Sequence, residues 1–217
     1  LTLGGGGTRD EKTGTVFKAN YLGLGSPVSG TPNTPIQILT DYTAERTFEE
    51  FTPRIGLSYR LSDTLNAYVS YGRGFKSGGF DMRGDAAATP ATMDGYDPET
   101  VDSLELGLKG YAFGERVRFA AAVFEASYDG QQVTSQQVNT VGTGLVSFID
   151  NVGSSTIRGA ELEAQARLGG GFSLDLALGY VDAEFDEYLA YVPNGSPPPA
   201  FVLDDVSDAR QFQNTPD

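Results

Sequence analysis

Residues 51–80 contain two stretches of strict apolar–polar alternation on either side of a three-residue turn, Ser62-Asp63-Thr64. Alternation with period two is typical of a β-strand that has one face in apolar surroundings. Pairing Leu61 with Leu65 makes directly opposed residues share a face, as an antiparallel hairpin requires. The further pairs expected from this register are Tyr59 with Ala67, Leu57 with Val69 and Ile55 with Tyr71.

Two later segments show the same pattern of two alternating strands joined by a short turn. The second predicted hairpin turns near Ala112-Phe113-Gly114 and leaves the register beyond Val123 open. Its apolar positions are Leu104, Leu106, Leu108, Val117, Phe119, Ala121 and Val123. The third predicted hairpin turns at Gly169-Gly170-Gly171, and its expected pairs are Leu168 with Phe172, Ala164 with Leu176 and Ala160 with Tyr180.

The predicted hairpins are joined by long polar connections. These are expected at Arg9–Thr47, Lys76–Pro98, Asp129–Val146 and Asp186–Asp208, with Leu1–Thr8 ending one strand and Ala209–Asp217 opening another. Short turns thus alternate with long loops, so all long loops fall at one end of the sheet. Outer-membrane barrels sort their loops in this way, whereas soluble sandwiches seldom do.

The face opposite the apolar one carries charged residues. They are Arg54, Arg60, Glu105, Lys109, Glu161, Glu163 and Arg167. A packed sheet core does not accept so many unpaired charges, but a polar lumen does. On the apolar face, Phe172 and Tyr180 bracket three leucines and lie about 20 Å apart along a membrane normal, given a rise of ~3.3 Å per residue and a tilt near 40°. The sequence therefore predicts an all-β fold, an antiparallel transmembrane β-barrel segment.

Composition excludes several classes of protein. The longest apolar run, Phe119–Phe124, is far shorter than a membrane-spanning helix. The chain has no Cys and no His, so it lacks a thiolate nucleophile and the usual general base. Its net charge of −14 argues against a nucleic-acid partner. We expect neither an enzyme nor a cofactor or metal site.

Four blocks of the sequence resemble the barrel of TonB-dependent outer-membrane receptors. They are FTPRIGLSYRLSDTLNAYVSYGRGFKSGGF, YDPETVDSLELGLKG, RFAAAVFEASYDGQQ and NVGSSTIRGAELEAQARL, in the order found in the C-terminal half of that barrel. The resemblance implies a plugged barrel of about 22 strands, of which this chain supplies about eight. It also implies a bacterial outer-membrane protein that takes up a scarce ligand, such as an iron–siderophore complex, a vitamin or an oligosaccharide, with energy supplied through TonB.

Two parts expected of that family are not recognisable in this sequence. Residues 1–217 form part of a single barrel domain, and neither a plug domain nor a TonB-contacting segment is recognisable in them. We expect a fragment of a larger polypeptide, with TonB reached through a plug outside this chain. The alternatives are a passive outer-membrane pore or autotransporter-type barrel, and a soluble secreted β-sandwich that binds a ligand.

The candidate contact residues lie near the outer end of the first hairpin. Arg73, Lys76 and Arg83, with Phe75 and Phe80, are candidates for contacts with an anionic ligand, whose identity is unknown, or with lipopolysaccharide phosphates. Outer-membrane lipid is the other expected partner.

Two sets of acidic residues suggest more specific functions, one catalytic and one metal-binding. Glu161 and Glu163 have a spacing near that of an inverting glycosidase pair. The favoured interpretation is that they line a polar lumen and pair with Arg167 or Lys109. The cluster Asp182, Glu184, Asp186 and Glu187 is interpreted as a solvated rim rather than a Ca²⁺ site.

Overall fold

The structure is a computed structural model that describes residues 1–21, 35–87, 89–138, 145–195 and 201–212. Its ten strands are β1 Thr2–Tyr21, β2 Pro35–Ser62, β3 Leu65–Lys76, β4 Glu99–Ala112, β5 Val117–Asp129, β6 Gln132–Val138, β7 Leu145–Asn151, β8 Gly153–Gly169, β9 Phe172–Pro193 and β10 Phe201–Asp205. Two short 3₁₀ helices lie at Pro90–Met93 and Ser207–Ala209. Within these ranges no helix is long and apolar enough to cross a membrane.

Eight strands form one antiparallel sheet in the order β1-β2-β3-β4-β5-β8-β9-β10. The hairpin β6–β7 is a separate two-stranded sheet inserted between β5 and β8. Every strand of the large sheet pairs with its neighbour in the chain apart from this insertion. The predicted all-β antiparallel fold is confirmed.

The registers of the first and third hairpins are confirmed away from their turns. Tyr59 pairs with Ala67 and Leu57 with Val69, as expected. The pairs next to the turns are wrong, because a bulge precedes each turn. The residues that close the turns are Ser62 with Leu65 and Gly169 with Phe172.

The turn of the third hairpin depends on glycine. Gly169, Gly170 and Gly171 all have positive φ, at 90°, 63° and 85°. Residues with a Cβ rarely adopt this conformation. The tight turn between β8 and β9 therefore requires this glycine run.

The second hairpin closes between Ala112 and Val117. The register beyond Val123, which the sequence leaves open, is continuous. Phe124 lies opposite Glu105 on one side and Gly159 on the other. Phe124 therefore belongs to the polar face, whereas Val123 belongs to the apolar face.

Three of the predicted long connections are wrong. The segment Arg9–Thr47 contains much of β1 and β2, Asp129–Val146 contains β6 and the start of β7, and Asp186–Asp208 contains the end of β9 with β10. Most residues of β1 from Arg9 onward and of β6 are polar on both faces, whereas residues 188–192 of β9 are apolar on both faces, so neither pattern shows a period of two. Lys76–Pro98 is confirmed as a connection, since β3 ends at Lys76 and β4 begins at Glu99.

The expectations for the two ends of the chain are also corrected. Leu1–Thr8 is not the end of a strand, because β1 runs on to Tyr21. The strand predicted at Ala209–Asp217 is absent from residues 209–212, and residues 213–217 lie outside the described part of the chain.

One face of the sheet is a continuous exposed apolar surface. The ladder joins Leu57, Val69, Leu106, Val123, Ala160 and Tyr180 in a single row across six strands. Leu106 and Leu178 on this face are 49% and 56% exposed. Soluble monomers rarely expose contiguous apolar patches beyond a few hundred Å². This surface requires an apolar environment.

Towards the loop end the apolar surface ends in charged residues, and this boundary is stepped across the strands. On β2 the first charged residue of this face is Glu49, and on β9 it is Asp182. The ladder places Asp182 in the row of Ile55, which is six residues along the chain from Glu49. The whole displacement lies between β2 and β5, because Glu125 of β5 and Arg158 of β8 share the row of Asp182.

The turn end of the sheet slopes steadily across the strands. Leu65, which begins β3, lies in the row of Leu176 on β9, and β9 begins four residues further on, at Phe172. Four residues over four strand spacings correspond to a tilt of about 35°. The turn edge of the sheet is thus inclined to the strands by an angle typical of membrane barrels, about 35–45°. Along β2 the apolar face from Phe51 to Leu61 has a height of about 25 Å at this tilt.

A charge placed at mid-height of the apolar surface tests this assignment. We expect Leu106→Arg to lower the free energy of unfolding by about 2–4 kcal/mol, because the cation would lie in hydrocarbon. Thr100→Arg, on the same face of β4 but beyond the boundary, should cost less than about 1 kcal/mol. The measurement is urea unfolding of the purified protein in phospholipid vesicles. Equal costs at the two positions would contradict a membrane-embedded face.

Candidate functional site

The second face of the sheet is polar and carries small residues. The ladder places all seven charged residues expected on it on this one face, opposite the leucines. In the row that contains Glu161, the neighbouring positions are Tyr68, Gly107, Ala122 and Gly179. Small side chains leave space next to the wall of the sheet.

Two aromatic side chains cover glycines on the polar face. The ring of Tyr68 lies over Gly107, and the ring of Phe124 lies over Gly159. The Tyr68 hydroxyl donates to Glu105 at 2.6 Å, and the Lys109 ammonium lies 4.8 Å from the centre of the Tyr68 ring. Glu105 and Lys109 are therefore tied to one aromatic side chain.

Most charges of the polar face have no counter-ion within the described residues. No ion pair forms to Arg54 or Arg60 on β2, nor to Glu161, Glu163 or Arg167 on β8. The expectation that Glu161 and Glu163 pair with Arg167 or Lys109 is thus wrong. Both carboxylates project from the same face of one strand, so they do not flank a substrate from opposite sides.

At the loop end of the sheet, the segment 77–98, described at residues 77–87 and 89–98, folds over the polar face and forms a core. Val16 of β1 and Phe48 of β2 are buried there, as is Phe148 of β7. Phe80 lies against Gly14 and makes an edge contact with Tyr42, with ring centroids 6.5 Å apart. This core escapes prediction from the sequence because none of its residues belongs to an alternating run.

Three basic side chains of β1 and β2 hold this connection. Lys12 donates to the carbonyl of Gly78 at 2.6 Å, and Lys18 donates to the carbonyl of Arg83 at 3.3 Å. Arg46 donates to the carbonyl of Asp94 at 3.0 Å, and its guanidinium lies 4.9 Å from the centre of the Phe48 ring. Residues 77–98 are therefore a packed part of the site.

The β6–β7 hairpin is attached to the same region by two amide side chains. Gln132 donates through Nε2 to the carbonyls of Ser77 and Asp97, at 3.1 and 3.0 Å. Asn151 donates through Nδ2 to the carbonyls of Asp97 and Gly130, at 2.9 and 2.6 Å. These bonds fix the base of the hairpin beside residues 77–98.

Asp81 makes a second link between the two segments. Its carboxylate accepts hydrogen bonds from Arg83 Nε and Nη2 at 3.0 and 3.1 Å, and from the Ile149 N–H at 2.8 Å. Burial is the largest influence on the pKa of Asp81 and raises it, but the hydrogen bonds from Arg83 and Ile149 together outweigh it. The pKa of Asp81 therefore lies below its ordinary value, and the group is a carboxylate at neutral pH.

A third segment closes over the polar face beside β9. Phe212 stacks on Phe185 with centroids 4.2 Å apart, and the Arg210 guanidinium lies 5.1 Å from the Tyr188 ring. Asp205 accepts the N–H of Tyr188 at 3.0 Å. The loop end thus forms a mouth built from residues 77–98, the β6–β7 hairpin and residues 206–212.

The structure does not bring the five candidate contact residues together. Arg73 and Phe75 follow Tyr71 on the apolar face of β3, where Arg73 bonds Asp102 at 2.9 Å. Lys76 lies on the polar face, 3.9 Å from Glu99. Phe80 and Arg83 belong to the mouth. The five residues therefore divide between the outer surface and the mouth.

The acidic residues near the end of β9 do not form a metal centre in the described chain. No three acidic side chains there are close enough to share an ion. Asp186 instead accepts a hydrogen bond from Thr156 at 2.8 Å.

A family model described as "TonB dependent receptor-like, beta-barrel" matches residues 1–212. The match includes the whole eight-stranded sheet and the three segments of the mouth.

Three solved structures share the fold. The ferric yersiniabactin uptake receptor FyuA from Yersinia pestis is 19% identical, with a TM-score of 0.61 over 84% of this chain and 24% of that chain. The siderophore receptor PiuA from Acinetobacter baumannii is 19% identical, with a TM-score of 0.53 over 79% and 23%. The ferric-catecholate import receptor Fiu from E. coli K12 is 17% identical, with a TM-score of 0.52 over 89% and 27%. The chain spans about a quarter of the length of these structures.

Two glycines of the sheet, one covered by an aromatic ring and one with free space around it, allow a test of packing on the polar face. A Cβ on Gly159 would strike the Phe124 ring and lie 2.6 Å from the Tyr180 carbonyl oxygen, whereas nothing lies within 4 Å of a Cβ on Gly179. We expect Gly159→Ala to cost about 1–3 kcal/mol of unfolding free energy, because backbone must move. Gly179→Ala should be close to neutral. Thermal unfolding of the two variants distinguishes them, and equal stability would refute close packing at Gly159.

Proposed function

The chain belongs to the TonB-dependent receptor β-barrel family, and on that premise we propose that it forms part of the wall of a receptor that imports a scarce ligand with energy supplied through TonB. Barrels of this family lie in the bacterial outer membrane, and this chain is an outer-membrane barrel segment. The observation that carries the proposal is the family match to residues 1–212 on a sheet with one exposed apolar face, whose turn edge is inclined like that of a membrane barrel.

The two alternative classes have less support. A soluble β-sandwich needs a second sheet on its apolar face, and in the described residues the second sheet is the β6–β7 hairpin, which lies at the mouth. A passive pore needs an open lumen. The match of residues 1–212 to a receptor barrel favours a receptor over a pore.

The first ligand class to test is a ferric chelate. FyuA, PiuA and Fiu are described as a ferric yersiniabactin uptake receptor, a siderophore receptor and a ferric-catecholate import receptor. Ferric chelates of this kind are commonly anionic. Lys76 and Arg83 carry exposed cationic groups at the mouth, each beside one carboxylate, Glu99 or Asp81. Phe80 is the aromatic residue of the same segment and is partly exposed. These three residues are our proposed ligand contacts.

Arg73 and Phe75 have a different proposed partner. They lie on the apolar face where its charged boundary begins, so they are at the level of lipid headgroups. Arg73 offers a cation and Phe75 an aromatic ring, the pairing found at membrane interfaces. We assign them to contacts with lipopolysaccharide.

The unpaired charges of the polar face fit a plug that fills the barrel. Glu161 and Glu163 have no counter-ion in the described chain, and small residues beside them leave room for close approach. A charge enclosed in a barrel is costly unless a partner or water compensates it. The proposed partner is a plug that presents basic residues to β8 and meets TonB at its inner end.

Uptake by a deletion strain tests the transport proposal. Without the gene, accumulation of ⁵⁵Fe from ferric siderophores should fall at least ten-fold, and the wild-type gene should restore it. A protonophore should abolish accumulation but leave surface binding intact, because only transport draws on the proton gradient. Accumulation that persists with the protonophore would indicate a passive pore.

Neutralising the two glutamates tests the plug assignment. In the full-length receptor, Glu161→Gln with Glu163→Gln should weaken docking of the plug by about 1–3 kcal/mol, because its basic partners lose their counter-charge. The measurement is urea-induced release of the plug, followed by protease sensitivity. Asp63→Asn, in the β2–β3 turn, is the control. An unchanged release midpoint would show that these glutamates face water only.

A further inference from the structure

Asp81 stands between two segments of the mouth that are far apart in the sequence. It is only 6% exposed, and it bonds Arg83 within its own segment and the Ile149 N–H on β7. A cavity of about 150 Å³ lies at this junction. Its lining includes Asp81, Thr92, Asp94, Phe148, Ile149 and Asp150.

The bond from Ile149 uses a backbone group that the hairpin itself leaves open. Ile149 pairs with Thr134 of β6, but its N–H is directed to Asp81. β7 has no neighbour on its other side within the described sheets, so it is an edge strand. Asp81 therefore supplies an acceptor to a strand edge that would otherwise be open.

The same carboxylate fixes the direction of Arg83. Nε and Nη2 of Arg83 both bond Asp81, and the Arg83 backbone N–H bonds it at 2.9 Å. The Arg83 side chain is nevertheless 61% exposed. A guanidinium has five N–H donors in a rigid fork, so donors remain for an anion that arrives from outside.

We propose that Asp81 is a positioning residue that locks the β6–β7 hairpin onto residues 77–98 and aims Arg83 at the mouth, so that both segments are docked before any ligand arrives. The lock itself does not depend on which ligand is imported. Its consequence for capture rests on the function proposed above. The hairpin base is held separately by Gln132 and Asn151, so loss of Asp81 frees the part of β7 around Ile149 rather than the whole hairpin.

The test is hydrogen–deuterium exchange of the full-length receptor in detergent, without ligand. Asp81→Asn places an NH₂ group among donors and removes the charge, so exchange of residues 145–151 should rise by about ten- to hundred-fold. Asp94→Asn is the matched control, because Asp94 is exposed, lines the same cavity and makes no side-chain bond in the described chain. Exchange in β3, β4, β5, β8 and β9 should not change.

A second variant removes the other partner of the bond. Ile149→Pro deletes the N–H that reaches Asp81 and spares the hydrogen bonds to β6, because that N–H points away from β6. By reciprocity it should raise exchange around Asp81 and Arg83, and the double variant should add little to either single one.

Three outcomes would overturn the lock. The first is that exchange at residues 145–151 is unchanged in Asp81→Asn. The second is that Asp81→Asn and Asp94→Asn have equal effects on exchange. The third is that the effects of Asp81→Asn and Ile149→Pro add fully in the double variant. Hydrogen–deuterium exchange and the import of ferric chelates are measured in separate experiments. A receptor that shows the expected exchange pattern but imports no ferric chelate would refute the ligand proposal and leave the lock standing.

Discussion

The structure depends on one constraint, which is that a strand in hydrocarbon must satisfy its backbone hydrogen bonds within the sheet and expose only apolar side chains to lipid. This explains why Leu57, Leu106 and Leu178 are exposed without harm and why one row of the ladder remains apolar across six strands. It also explains the inclined turn edge, because the edge of the hydrocarbon is flat while the strands cross it at an angle. The tilt of the strands is thus recorded in the staggered starts of β3, β5 and β9.

Beyond that boundary the constraint no longer applies, and different interactions hold the chain. The outer halves of β1 and β2 have polar faces and extend past the apolar surface as a two-stranded ribbon. Residues 77–98 fold back on this ribbon through Phe80 and Phe48, and basic side chains bond their carbonyl groups. Asp81 then joins this segment to the β6–β7 hairpin. The mouth is therefore held by a few specific contacts, each of which a single substitution can remove.

This division decides how much could be predicted from the sequence. Where one face touches lipid, alternation specifies the strand, the face and the register, and the pairs Leu57–Val69 and Ala164–Leu176 are confirmed. The bulges before Leu65 and Phe172 could not be predicted. Each bulge shifts the pairing by one residue next to the turn and leaves the alternation of the two arms unchanged. Strands in the outer ribbon were mistaken for loops, since residues such as Thr13, Thr15 and Glu45 carry no alternation. The bonds of Asp81 join distant segments, and no local pattern signals them.

The most direct test is a cysteine scan along β9, for which residues 1–217 contribute no native Cys and any Cys elsewhere in the full-length receptor is replaced by Ser. Spin labels at successive positions from Leu174 to Glu184, in the full-length receptor in bilayers, report collision with oxygen in lipid and with a water-soluble nickel reagent. The account predicts high oxygen collision at Leu174, Leu176 and Leu178, low values at the positions between them, and a change to nickel access at Asp182. Nickel access at the three leucines, or oxygen collision without a period of two, would contradict it.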